Sequence, residues 1–184
     1  MPGILRPPER ALGDALADPD KPPDKPEDEQ RQAWEYFQRA YDHQMKGEIE
    51  EATALYKRSI ELWPTAEAHT FLGWTYSFER KYEEAIDECL RAIQVDAGFG
   101  NPYNDIGAYL IELDRWDESI PWFYKALAAP RYESYFFPHF NMGRVYEHDK
   151  QWKKAEECYR NALKVNPQYR LASAALKRLK ARWN

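Results

Sequence analysis

The chain has 184 residues, 43% hydrophobic and 15% aromatic, with a formal net charge of −5. That is enough apolar material for one sizeable core, which excludes disorder throughout, and a net-acidic body excludes nucleic acid as the main partner because phosphate binding rests on a dense basic surface. No run of about 18 apolar residues is available to cross a bilayer and the start "MPGILRPPER" lacks a secretory apolar core, so the expectation is a cytoplasmic protein with no membrane insertion.

Residues 1–29 hold seven of the 13 prolines, among them the run "DPDKPPDKPEDE". Such a segment cannot bury enough apolar surface to order itself, and it is expected to be a disordered Pro/Asp-rich tail. From about Gln30 the apolar residues recur three and four apart, with a break about every 15 residues, the period of paired helices. Residues 30–169 then divide into four units, about 33–65, 66–99, 100–135 and 136–169, beginning at Ala33, Ala66, Gly100 and Phe136. Their eighth positions are Ala40, Gly73, Gly107 and Gly143; their twentieth are Ala52, Ala85, Ser119 and Ala155; their twenty-seventh are Ser59, Ala92, Ala126 and Ala162. All are small, where the overall frequency would give about two of the twelve.

A small side chain on the first helix of a unit lets the second helix approach, and that packing offsets the cost of about 1 kcal/mol that a glycine imposes inside a helix. Large residues alternate with the small ones, as at the twenty-fourth position: Tyr56, Cys89, Phe123 and Tyr159. Asn101 before Pro102 reads as a helix cap, Pro121 as a kink within a second helix, and Glu83, Glu84, Asp117 and Glu118 as acids at helix starts, where the dipole favours them. Cys89 and Cys158 fall in apolar patterns and read as small buried hydrophobes. Residues 170–184 form one more amphipathic helix, with Ala172, Ala175, Leu176, Leu179 and Trp183 on one side. It covers the last apolar face, and its bases Arg170, Lys177, Arg178, Lys180 and Arg182 read as the solvent side of that cap.

On these residues the chain resembles the tetratricopeptide repeat (TPR) family, whose unit is a 34-residue helix-turn-helix with this alternation of small and large positions. The resemblance implies an all-α fold, a right-handed α-α superhelix, or solenoid, of four helix pairs plus a C-terminal capping helix. The family's proline near the end of each unit is present as Pro64 and Pro167, but the middle units carry Ala97 and Arg131 there, with Pro130 one place early. Two extra residues lie in "APRYESYFFPHF", between the third and fourth units.

No phosphate loop, zinc-protease helix, Cys-x-x-Cys pair or nucleophile elbow is present. His69 and His139 share the fourth repeat position, on the packing side of a first helix. The expectation is therefore no enzyme, no catalytic residue, no metal site and no cofactor. Attention passes to residues that the repeat does not need. With positions 4, 7, 8 and 11 as the packing stripe, positions 2, 5, 9 and 12 of each first helix are expected on the opposite, solvated side. They include six aromatics: Trp34, Phe37, Tyr41, Trp74, Phe137 and Phe140. The family resemblance implies that first helices line the concave side and hold an extended peptide. The expected groove adds Thr70, Asn101, Asn104, Asn141 and Arg144 to the rings, the asparagines for a peptide backbone and the arginine for a carboxylate. Co-chaperone members that grip a C-terminal carboxylate use Lys and Asn where this chain has Phe37 and Tyr41, which argues against a heat-shock-protein tail. The leading expectation is an adaptor or scaffold, of bacterial type, for a protein or peptide ligand. Two alternatives stay open: a secretion-type chaperone, and a groove filled by the chain's own N-terminal tail, in autoinhibition or in a homo-oligomer.

Overall fold

A computed structural model describes residues 25–182. Among them are nine helices in four antiparallel pairs and one more: α1 (Lys25–Lys46) with α2 (Ile49–Leu62), α3 (Ala66–Phe78) with α4 (Tyr82–Val95), α5 (Asn101–Glu112) with α6 (Trp116–Ala128), α7 (Phe136–His148) with α8 (Trp152–Val165), and α9 (Arg170–Ala181) against α8. Each first helix also touches the next first helix, so the array is an all-α superhelix. Residues 1–24 of the expected tail and Trp183 lie outside the described residues. Lys25–Glu29, assigned to that tail, instead open α1. Pro26 falls in the first turn, where no N–H is needed, and Glu27 and Asp28 meet the positive end of the helix dipole.

The small eighth position is explained by direct approach. A methyl group added at Gly107 would stand 2.5 Å from Cε1 of Phe123, one at Gly143 would enter the Tyr159 ring, and one at Gly73 would come within 2.9 Å of the Ala85 carbonyl. Phe123 and Tyr159 are fully buried, so these rings have nowhere to move. The eighth position of the first helix thus meets the twenty-fourth of the second in three successive units, and in the second unit the twentieth as well.

All four pairs turn by one device. Residue 15 of each unit adopts the left-handed conformation, with φ of +82° at Gly47, 60° at Arg80, 61° at Asp114 and 59° at Lys150. In every unit the next residue's N–H reaches back to a carbonyl five residues earlier: Glu48 to His43, Lys81 to Tyr76, Arg115 to Leu110 and Gln151 to Tyr146, at 2.8–3.0 Å. This is a Schellman termination. Only Gly47 adopts it without steric cost; the other three side chains are strained by about 1 kcal/mol each.

The join between the third and fourth units is pinned rather than loose. Arg131 N–H bonds Gly98 O and Gly100 N–H bonds Arg131 O, both at 3.0 Å, a lone parallel bridge between the two central joins. Tyr132 fills the notch over Gly100. The Arg131 guanidinium pairs with Glu67 and Asp96 and covers the Phe99 ring. Asn101 proves to be the first residue of α5, with Gly100 in the cap position. Pro121 sits inside a continuous α6 on its exposed side, where water can reach the carbonyl its missing N–H leaves over.

Candidate functional site

Along a first helix, positions 5 and 12 lie only about 60° and 40° from position 8, whereas positions 2, 9 and 13 lie about 120°, 100° and 140° away. The structure follows these angles, and the expected groove changes accordingly. Phe37, at position 5, is 3% exposed and meets Tyr56 of α2 and Phe71 of α3 edge-on, with ring centroids 5.5 and 5.3 Å apart. Thr70 is buried and its hydroxyl donates to Ala66 O at 2.7 Å. Asn104 and Asn141 are buried and engaged with each other: Asn141 Nδ2 donates to Asn104 Oδ1 at 3.3 Å, and Asn104 Nδ2 to Asp105 Oδ1 at 3.2 Å. Position 12 belongs to the hairpin, since Tyr56 donates to Gln44 and Tyr159 to Glu147, at 2.8 and 2.7 Å.

Phe137, 9% exposed, departs from the expectation for a different reason. With Phe136 and the half-buried Phe140 it packs on Tyr169, in the α8–α9 turn, at centroid distances of 4.9–5.6 Å. Tyr169 closes this cluster, and only its position just before the last helix hinted at it. Trp34, Tyr41, Trp74, Asn101 and Arg144, all at positions 2 or 9, stay half-buried, about 100–120° around the helix from position 8.

Position 13 enlarges the site. Met45 and Phe78, half exposed, extend the rim of the first two units. Trp34 stacks on Phe37 at 5.1 Å, Tyr41 and Trp74 each meet Phe71 at 5.7 Å, and Trp74 meets Phe78 at 5.5 Å. Two buried rings, Phe37 and Phe71, therefore carry three partly exposed ones, and Trp74 in turn carries Phe78. An apolar patch held this way meets a partner with little further ordering. The rim of units three and four is polar: Arg144 pairs with Glu112 at 3.2 Å, and His148 stands at the edge, stacked on Trp116.

Beneath that polar half lies Asp105, a buried carboxyl whose pKa burial pushes up to about 7, against a smaller opposite pull from the Asn104 hydrogen bond. Its one side-chain hydrogen bond among the described residues is the one from Asn104. Elsewhere His69 Nδ1 lies 2.7 Å from Glu88 Oε2 in a buried contact between α3 and α4, as expected of a packed histidine, and Glu88 also holds Arg91. Burial lowers the pKa of His139, and it raises the thiol of Cys158 to about 11 and pushes that of Cys89 up as well, the opposite of what a reactive thiolate needs.

Residues 66–99 and 138–169 each match a family model described as "Tetratricopeptide repeat". The chain belongs to the tetratricopeptide repeat family. Its curated relatives include anaphase-promoting complex subunit 3 of Schizosaccharomyces pombe, 28% identical over 70% of this chain and 19% of that protein, and the type IV pilus assembly protein PilF of Pseudomonas aeruginosa, 26% identical over 71% of this chain and 52% of that one. This TPR chain thus spans about a fifth and about half of the length of those relatives. Among solved structures, P. aeruginosa PilF superposes with a TM-score of 0.78 at 21% identity, covering 84% of this chain and 70% of that one. The first TPR of Spaghetti (RPAP3), bound to the HSP90 peptide SRMEEVD, does so with a TM-score of 0.59 at 19% identity, covering 65% and 93%. The family is one of protein–protein interaction modules, neither family match describes an enzyme, and no described helix is long and apolar enough to cross a membrane.

Proposed function

We propose that this TPR protein is a scaffold whose groove holds an extended segment of a partner protein, with the apolar residues of that segment seated on units one and two. The observation that carries the reading is the rim of Trp34, Tyr41, Trp74, Phe78 and Met45. A contiguous apolar surface of this kind marks an interaction site more often than a solvated one. The ligand chemistry is apolar or proline-bearing at that end. At the other, Asn101 and the Arg144–Glu112 pair favour polar contacts. Arg144 is already neutralised, so a free carboxylate is not the main determinant, and the carboxylate-gripping mode fits poorly.

The likeness to PilF favours, among scaffolds, one that serves the assembly of a multi-subunit machine, a role close to the secretion-type chaperone. A peptide-display selection on the full chain tests the groove. Selected peptides should carry an aromatic, leucine or proline cluster and lose at least about tenfold in affinity with Tyr41→Ala or Trp74→Ala. Peptides that bind a Tyr41→Ala/Trp74→Ala protein as tightly as the parent would reject the reading. Adding residues 1–24 as a synthetic peptide to a chain lacking them separates self-occupation from partner binding, since a tail that fills the groove competes with the selected peptides.

A further inference from the structure

The turn edge of the fourth unit carries the opposite charge to the other three. Second helices α2, α4 and α6 begin with Glu50 and Glu51, Glu83 and Glu84, and Asp117 and Glu118, as the helix dipole favours. Helix α8 has no acid in its first turn, and Lys153 and Lys154 stand at the equivalent positions, against the dipole. Local helix stability therefore does not account for them.

A second helix adds to the same edge. Helix α9 brings its C-terminal end beside the start of α8, where the Arg182 guanidinium lies 5.3 Å from the centre of the Trp152 ring and Arg178 pairs with Glu147 at 2.8 Å. Lys150, Lys153, Lys154, Lys180 and Arg182 are all exposed there. At this end Arg178 and Arg160 form ion pairs, with Glu147 and Glu156, and those five bases form none among the described residues. Over the whole sequence, residues 150–184 hold 10 lysines and arginines against 2 acids, a net of +8, while residues 1–149 hold 16 against 29, a net of −13.

We propose that this basic edge docks on the acidic turn edge of a second copy of the chain, head to tail. On that acidic edge Glu83 and Glu118 are held by Arg115, whereas Glu50, Glu51, Glu84 and Asp117 form no ion pair among the described residues and remain for a partner. The other polyanions fit less well. A nucleic acid would face a net-acidic surface over most of the molecule. A bilayer contact calls for large apolar residues beside the bases. Among the described residues the exposed large hydrophobic of α9 is Leu171, at the opposite end of the helix from Lys180 and Arg182, and the Trp152 ring beside Arg182 is half-buried. None of the docking residues is on the groove rim, so groove and edge act independently. The contact is heterologous, and it generates a chain of copies or a ring according to the rotation between them.

Sedimentation velocity of the full chain tests this at low salt, about 50 mM, and at high salt, about 500 mM. The low-salt mass should rise with concentration above the 21.8 kDa monomer and fall back to it in high salt. Lys153→Glu/Lys154→Glu should weaken the association at least tenfold, and so should Glu84→Lys/Asp117→Lys. Mixing those two variants should restore it, because each then offers the other a complementary edge. Circular dichroism of each variant separates lost docking from lost folding. A monomer at every salt and concentration overturns the proposal. So does association indifferent to salt or to both double variants, or a monomer that uses Lys153 and Lys154 to bind RNA or anionic vesicles.

Discussion

The two halves of the groove solve the same packing problem with opposite chemistry. In units one and two, Phe37 at position 5 and Phe71 at position 6 are buried, Trp34, Tyr41 and Trp74 rest on them, and Phe78 rests on Trp74. In units three and four the same two positions hold Asn104, Asp105 and Asn141, hydrogen-bonded across α5 and α7, with Phe140 turned onto Tyr169. Rings can satisfy each other and still present a face to a partner. Buried amides that satisfy each other have little left to offer. Under the proposed function, the half with Met45 and Phe78 exposed on its rim is therefore the half that meets the partner.

The largest effect is expected where that division can be broken outright. Phe71 is the ring on which Phe37, Tyr41 and Trp74 all rest. Phe71→Ala should cost about 3–5 kcal/mol by lost transfer and the cavity left behind. Urea unfolding reads this as a lower midpoint at nearly unchanged slope, and peptide affinity should fall with it as Tyr41 and Trp74 lose their support. A cost under about 1 kcal/mol would mean that the aromatic half packs without this ring, and its separate character would go with it.

A smaller effect, of distinctive sign, belongs to the polar half. The Asp105 carboxyl titrates near 7 in the fold and near its ordinary value of about 3.9 in the unfolded chain. Between these values the folded state holds the proton that the unfolded state has released, so stability is greatest below about pH 4 and falls as pH rises through 7. A displacement of about three pH units corresponds to at most about 4 kcal/mol. Asp105→Asn keeps an acceptor for Asn104 and removes the titration, so it should raise stability by about 1–3 kcal/mol more at pH 8 than at pH 5 and flatten the profile between them. Thermal melts across pH 5–8 check this, with Glu118→Gln as an exposed control. A parallel pH profile for Asp105→Asn and the parent would show that Asp105 does not titrate in this range.

Much of this contrast was legible in the residue spacing, and the rest was hidden for identifiable reasons. Gly73, Gly107 and Gly143 announced close helix contact, because a costly residue recurring in register needs a cause, and Phe123 and Tyr159 supply it. Phe37, Thr70 and Asn104 are buried because position 5 flanks the packing stripe, about 60° from position 8, and does not oppose it. Phe137 owes its burial to Tyr169, outside the regular helices, which helical spacing alone does not register. Arg131 looked like a missing proline, yet its pairing with Glu67 and Asp96 joins residues far apart in sequence, which no local pattern encodes. Asp105 looked like one more helix acid, since only the neighbours of α5 decide that it is buried.

The turns offer the finest comparison, because there the two halves are built alike. Arg80 in the aromatic half and Lys150 in the polar half hold nearly the same left-handed φ, 60° and 59°, with the same pair of reverse hydrogen bonds. Glycine relieves the clash of Cβ with the following carbonyl but adds freedom to the unfolded chain, so the net gain should be about 0.5–1 kcal/mol at each site. Arg80→Gly also frees a residue beside Lys81, whose partner Glu79 is on the surface and contributes little. Lys150→Gly removes one cation from the basic edge, so it is best compared at high salt, where charge effects between exposed groups are screened. Equal gains in urea midpoint would show that the hairpins are energetically interchangeable and that the halves differ only in what fills the flank. A gain at Arg80 without one at Lys150 would place a difference in the backbone itself, and the chemistry of the groove rim would no longer be the whole of the contrast.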